Sequence, residues 1–196
     1  MRINAIKNDT HGTSEHVPTW ETYKVPNHII ILSETLRAIA LIALAIFLHH
    51  PFSIALFGIA VAPCCFLGTA VHECFHFVVY RVHQISATLV LRPFHSQCKT
   101  LKNAQLSVCR ASWVAPAVLP LPVALLAYGF KDVPWLSSVV IFTSLHLLVG
   151  CLADFFFLWK TRKLPPNTPI QDDGFSLRHP LLKTQHSSSQ KNTPPT

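Results

Sequence analysis

Apolar positions along the chain fall into long unbroken blocks rather than a stripe, and four of these blocks extend for about twenty residues or more. They run from Ile29 to Leu48, Phe52 to Tyr80, Ala111 to Phe130 and Trp135 to Trp159. A helix rising ~1.5 Å per residue needs about 20 residues to cross a hydrocarbon core of about 30 Å, so each block predicts a transmembrane helix. Stretches such as "IALIALAIFL" leave no polar face for water, which argues against buried helices of a soluble bundle. The expected fold is therefore an all-α membrane protein of about four spans.

Between the second and third blocks the pattern changes. Ile85, Ala87, Leu89 and Leu91 alternate with Ser86, Thr88, Val90 and Arg92, and Ala104, Leu106 and Val108 alternate with Asn103, Gln105 and Ser107. Both are period-two patterns of strands, joined by a proline-containing connection, and they predict a small β-hairpin in this loop. An exposed edge of such a hairpin suits an extended peptide, which adds to a sheet as one more strand. An amphipathic loop that only covers its surroundings would give the same pattern.

Composition supports the membrane reading. Half of the 196 residues are hydrophobic and only 13% are charged, too apolar for an ordinary soluble domain of this size. Residues 1–28 form a polar leader without a small-residue cleavage pattern, so no removable signal peptide is expected. Residues 29–160 are expected to form the transmembrane domain, and 161–184 a segment that packs back on its cytoplasmic face. Residues 185–196, "QHSSSQKNTPPT", are expected to be a disordered tail.

The net charge of +7 is informative through its placement. Arg2, Lys7 and Lys24 precede the first block, Arg81, Arg92, Lys99, Lys102 and Arg110 lie between the second and third, and Lys160, Arg162 and Lys163 follow the fourth. The short connections "HHP" and "KDVP" hold a single Lys. This bias predicts a multi-pass protein of the cell membrane with both termini and the long central loop in the cytoplasm. The basic residues flank spans and form no stripe interleaved with aromatics, so no nucleic-acid partner is expected. The six cysteines show no CxxC spacing and fall in spans or in that loop, where reduced thiols are expected rather than disulfides.

The candidate chemistry lies in "GTAVHECFHFVVYRVH". His72 and His76 are one turn apart on one helix face, where two imidazoles can hold one metal ion. Glu73, one residue round the helix, can reach a water beside the ion without ligating it, the placement of a general base in zinc-assisted hydrolysis. Ionisable groups within a span are costly and tend to be functional. The structural alternative is an interfacial helix end whose histidines meet lipid headgroups.

A catalytic zinc takes a third protein ligand. By helical rise, His72 and His76 lie about 12 and 7 Å above the cytoplasmic end of the second span, and Asp154 about 9 Å above that of the fourth. Asp154 is the only carboxylate in the fourth block and is the expected third ligand; its alternative is pairing with a lysine or arginine near the headgroups. His146, two turns deeper, is expected to bond a neighbouring helix or orient the site. Glu34 has Arg37 one turn along as an internal partner. His49, His50, His83 and His95 fall outside the matched depth.

The order "HECFH", a strand-like loop, "LSVCRASWVAPAVLPL" and then "HLLVGCLADFFFLWKTRKLPPNTPIQDDG" resembles the family of small multispanning bacterial and archaeal zincin peptidases. It is similar, more distantly, to site-2-type intramembrane metalloproteases. The resemblance covers about residues 60 to 177. It implies that His72, His76 and Asp154 bind zinc and that Glu73 is the catalytic base. The chain departs from it in carrying Ala153 where that family often has Gly, and in lacking the Asn-x-x-Pro and Asp-Gly signature of site-2 proteases around Asp154.

The expected function is that of an integral membrane zinc metallopeptidase acting on a membrane or membrane-proximal protein or peptide. The alternatives are a non-catalytic membrane protein that binds a metal or haem, and an inactive protease homologue that binds membrane partners. Glu73 favours hydrolysis, since a plain metal site gains nothing from an unligated acid beside its histidines.

Overall fold

Four helices long and apolar enough to cross a membrane dominate the computed structural model, which describes residues 19–92 and 96–181. The tail at 185–196, His95 and most of the leader lie outside the described residues. Helix α1 spans Asn27–Leu48, α2 Pro51–Val82 and α5 Pro134–Thr161. Their mean hydropathy is 2.0 to 2.2, and side chains such as Ile31, Ile42, Ile59 and Leu125 point outward. Such a surface suits acyl chains rather than water, consistent with a multi-pass membrane protein.

The third span starts at Leu106 rather than Ala111 and is not one regular helix. Helix α3 (Leu106–Val114) passes through a 3₁₀ turn (Ala115–Val118) into α4 (Pro120–Gly129). Pro116 and Pro120 supply no N–H to an α-helical ladder, so the chain tightens there and Pro120 restarts the helix at its first turn.

The expected hairpin forms with a different second strand. Strand β2 (Ala87–Val90) runs antiparallel to β3 (Gln97–Thr100), with Ala87 opposite Thr100 and Val90 opposite Gln97. Of the predicted strand at 103–108, only Ala104–Gln105 is extended, as β4, and Leu106 opens α3. The buried residues Leu106, Cys109 and Trp113 follow helical spacing.

A second sheet corrects the all-α expectation. Its order is β1-β6-β5-β4, formed by Trp20–Lys24, Ser176–Pro180, Pro169–Asp172 and Ala104–Gln105. All its neighbours are antiparallel, with Trp20 opposite Pro180 and Ala104 opposite Ile170. The leader and the segment after the last span thus meet in one sheet at one end of the bundle.

That end is closed by backbone bonds and a core of Tyr80, Leu106, Trp113, Phe157, Ile170 and Leu177. The first amides of α3 donate to carbonyls after α5, Leu106 N to Thr168 O at 2.9 Å and Ser107 N to Pro166 O at 2.9 Å. The Arg110 guanidinium donates to the Thr161 and Leu164 carbonyls at the C-terminus of α5. These bonds fix α3 against α5. The β5–β6 turn turns on Gly174, at φ +82°, where a Cβ would stand 3.2 Å from Gln97 Cβ. Glycine lets that turn lie against β3.

Candidate metal centre

Helix α2 carries His72, Glu73 and His76, and α5 brings Asp154 against them. His72 Nε2 and His76 Nε2 are 3.1 Å apart, His72 Nε2 lies 3.2 Å from Asp154 Oδ2, and His76 Nε2 lies 3.6 Å from Asp154 Oδ1. Donor atoms around a tetrahedral ion with bonds of ~2.0–2.1 Å stand about 3.3 Å apart. The separations observed straddle that value.

The environment fits a cation as well as the distances do. His72, His76 and Asp154 are all buried, and Asp154 Oδ2 has no hydrogen-bond partner. A buried carboxylate that sets one oxygen toward each of two imidazole nitrogens is costly unless a proton or a metal ion is shared among them. His76 Nδ1 lies 3.0 Å from Ser112 Oγ on α3. The tautomer in which Nδ1–H donates to Ser112 leaves the Nε2 lone pair turned toward His72 and Asp154. The cluster of His72, Glu73 and His76 could hold a metal ion, and Cys151 with His72 and Asp154 forms a second overlapping set.

Glu73 is held from the loop. The backbone N–H of Cys98 on β3 donates to Glu73 Oε2 at 2.7 Å, leaving Oε1 for other partners. Burial pushes the Cys98 thiol itself up to about 12, so it is a neutral neighbour of that carboxylate.

A cavity of about 420 Å³ runs through the site. It is lined by Gln97 and Phe175 at the sheet end, passes His72 and Asp154, and reaches Thr69 and His146 further along α2 and α5. Its volume falls within the usual range of small-molecule and peptide side-chain sites. Gly150 leaves room beside the His72 ring, its Cβ position being 3.8 Å from His72 Nδ1.

Of the remaining sequence candidates, His146 and the Glu34–Arg37 pair line the same cavity but bond elsewhere. His146 Nε2 is 2.8 Å from Thr69 Oγ1, a bond between α5 and α2. Glu34 and Arg37 pair with each other on α1. His49 and His50 join α1 to α2, and His83 follows the end of α2.

Four residues near the site were not singled out from sequence: Ser112, Cys98, Cys151 and Asp172. Cys151 had a local signal, lying three residues before Asp154 on one helix face. Asp172 had none beyond its place in an Asp-Asp-Gly turn. It is buried, and its carboxylate accepts from Tyr80 Oη at 2.7 Å, Trp113 Nε1 at 2.9 Å and Gly174 N at 2.8 Å. Burial pushes its pKa up against the opposing pull of those three donors.

No family model, no curated protein and no solved structure matches this chain.

Proposed function

We propose that the chain is an integral membrane zinc metallopeptidase that hydrolyses a peptide bond of a membrane or membrane-proximal protein. The observation that carries this reading is the convergence of two imidazole nitrogens and a buried carboxylate within 3.6 Å, beside a second carboxylate held by a backbone amide. His72, His76 and Asp154 would hold the ion, as in the zincin and site-2-type families that the motif order resembles. A bound zinc supplies Lewis acidity and makes water nucleophilic near neutral pH.

The roles of the protein groups follow from their bonds. The Cys98 amide fixes Glu73 Oε2, so Oε1 is the oxygen that takes a proton from the attacking water and returns it to the leaving amine. Ser112 holds the His76 ring so that Nε2 remains a ligand rather than a proton carrier. The cavity gives water and an extended chain access to Glu73 from the sheet end, where Gln97 and Ser96 line it. The basic loops favour a cytoplasmic sheet end, and hydrolysis would then take place a short way inside the cytoplasmic leaflet.

The test is hydrolysis of membrane-tethered reporter peptides by zinc-loaded protein in lipid nanodiscs, wild type beside Glu73→Gln. Cleavage that a chelator abolishes and that Glu73→Gln lacks is expected. A metal-loaded wild type whose cleavage does not depend on Glu73 would leave a metal-binding membrane protein and no peptidase.

A further inference from the structure

Asp172 bonds to none of His72, Glu73 and His76, yet its partners adjoin the groups that hold two of them, Ser112 for His76 and Cys98 for Glu73. We propose that Asp172 is the positioning residue of this centre, holding the support of the histidines and the support of the base in register with each other. The proposal rests on the reading of His72, His76 and Asp154 as metal ligands and of Glu73 as the base.

On the histidine side, Tyr80 donates to Asp172 Oδ2 from one turn beyond His76 on α2. Trp113 Nε1 donates to the same oxygen, and Trp113 follows Ser112, the partner of His76 Nδ1. On the base side, the Asp172 N–H donates to Thr100 Oγ1 at 2.9 Å, and that hydroxyl donates to the Asp172 carbonyl at 3.3 Å. Thr100 shares β3 with Cys98, whose amide holds Glu73. Asp172 Oδ1 also accepts from Gly174 N, which sets the turn that lies against Gln97 and Cys98.

One residue therefore ties four elements together at the back of the site: its carboxylate holds α2, α3 and the β5–β6 turn, and its main chain holds β3. An apolar side chain of similar size would fill this space with no desolvation cost. It would not fix how α3 sits relative to β3, because apolar contacts are non-directional and hydrogen bonds are not. That relative placement decides whether Glu73 Oε1 faces the point where His72, His76 and Asp154 converge. Small errors of this kind are expensive in catalysis.

The test uses the full chain in detergent, with Asp172→Asn and Thr100→Val beside wild type, and two readouts. The first is backbone hydrogen exchange of the metal-free protein. Asp172→Asn keeps its main-chain bonds to Thr100 and is expected to exchange about tenfold faster or more at residues 109–114 and, through the loosened Gly174 turn, at 97–98, with 139–147 unchanged as the sign of an intact bundle. Thr100→Val, which cuts only the clamp on the base side, is expected to speed 97–100 alone. The second is Co²⁺ titration followed by its visible absorption, where Asp172→Asn is expected to bind about 10–100-fold more weakly with an altered spectrum.

Unchanged exchange in both segments overturns the proposal, and so do faster exchange with unaltered Co²⁺ affinity and spectrum, which would make Asp172 a structural tie only. Should Asp172→Asn lose the protection of 139–147 as well, Thr100→Val decides: faster exchange confined to 97–100 together with an altered Co²⁺ spectrum supports the register role, and the absence of either overturns it. A wild type that takes up no Co²⁺ overturns the metal reading and the positioning role with it. That failure is read on the wild type, whereas failure of the proposal alone is read on the variants.

Discussion

The two ends of the helical bundle are made from the same apolar alphabet and are held together differently. At the far end, Leu48, Phe57, Val139 and Phe142 form a small cluster, with Phe57 and Phe142 edge to face at 6.2 Å. Its polar groups are satisfied by helix carbonyls: Thr143 Oγ1 donates to Val139 O within α5, and Ser144 Oγ donates to Pro120 O at the start of α4. At the sheet end, Tyr80, Trp113 and Phe157 surround polar groups that reach across segments, and Asp154 Oδ2 and His72 Nδ1 have no hydrogen-bond partner. A bundle meant only to sit in lipid would look like its far end throughout. The cost accepted at the sheet end is the reason for proposing it as the site of function.

The largest expected effect separates chemistry from architecture within the sheet end. Glu73→Gln keeps the Cys98 amide bond through its amide oxygen and loses the proton acceptor, so turnover should fall about 10²–10⁴-fold in a peptide-cleavage assay. Its metal content and unfolding midpoint should match wild type. Loss of metal in this variant would make Glu73 a ligand and blur the division between base and ligand set.

Next, one truncation at each end compares their packing. Trp113→Ala removes a fully buried ring and one donor to Asp172, and should cost ~4 kcal/mol in denaturant unfolding from detergent. Phe57→Ala removes a buried ring but no hydrogen bond, and should cost about 3 kcal/mol. Equal costs would remove the distinction between the two ends.

A smaller effect concerns the thiol beside the base. Burial raises Cys98 to about 12, so the folded state favours the neutral thiol. The sign follows: this contribution to stability is full below the ordinary thiol range and is lost as pH rises toward about 12. At pH 8.5, alkylation of Cys98 in folded protein should be on the order of a hundredfold slower than in denatured protein, measured by mass spectrometry. The smallest effect is at the turn. Gly174→Ala forces a side chain into φ +82° against Gln97 and should cost ~1–2 kcal/mol, read as a lowered unfolding midpoint.

The far end was nearly all legible in the sequence, because unbroken apolar runs need only length to be read as spans. At the sheet end only the local part was legible. His72 and His76 share a face by spacing alone, and Asp154 stands out as the one carboxylate in its run. Pairing between Trp20–Lys24 and Ser176–Pro180 joins segments from opposite ends of the chain, and short polar strands of this kind carry no mark of their partner. The stretch at 103–108 misled for a physical reason. Over six residues, alternation and the three-residue spacing of a buried helix face overlap, and the chain takes the helical form, burying Leu106, Cys109 and Trp113 on one face. Asp172 looked like a turn residue because its donors come from Tyr80, Trp113 and Gly174, two of them far off in sequence.

The central claim is that the sheet end is a metal site whose ligands are His72, His76 and Asp154. Elemental analysis of detergent-purified protein tests it most directly, comparing wild type with His72→Ala, Asp154→Ala and Glu73→Gln. The account predicts about one zinc per chain in wild type and Glu73→Gln, and almost none in the other two. Wild type without stoichiometric metal, purified under conditions shown not to strip it, or metal retained in Asp154→Ala, would contradict it.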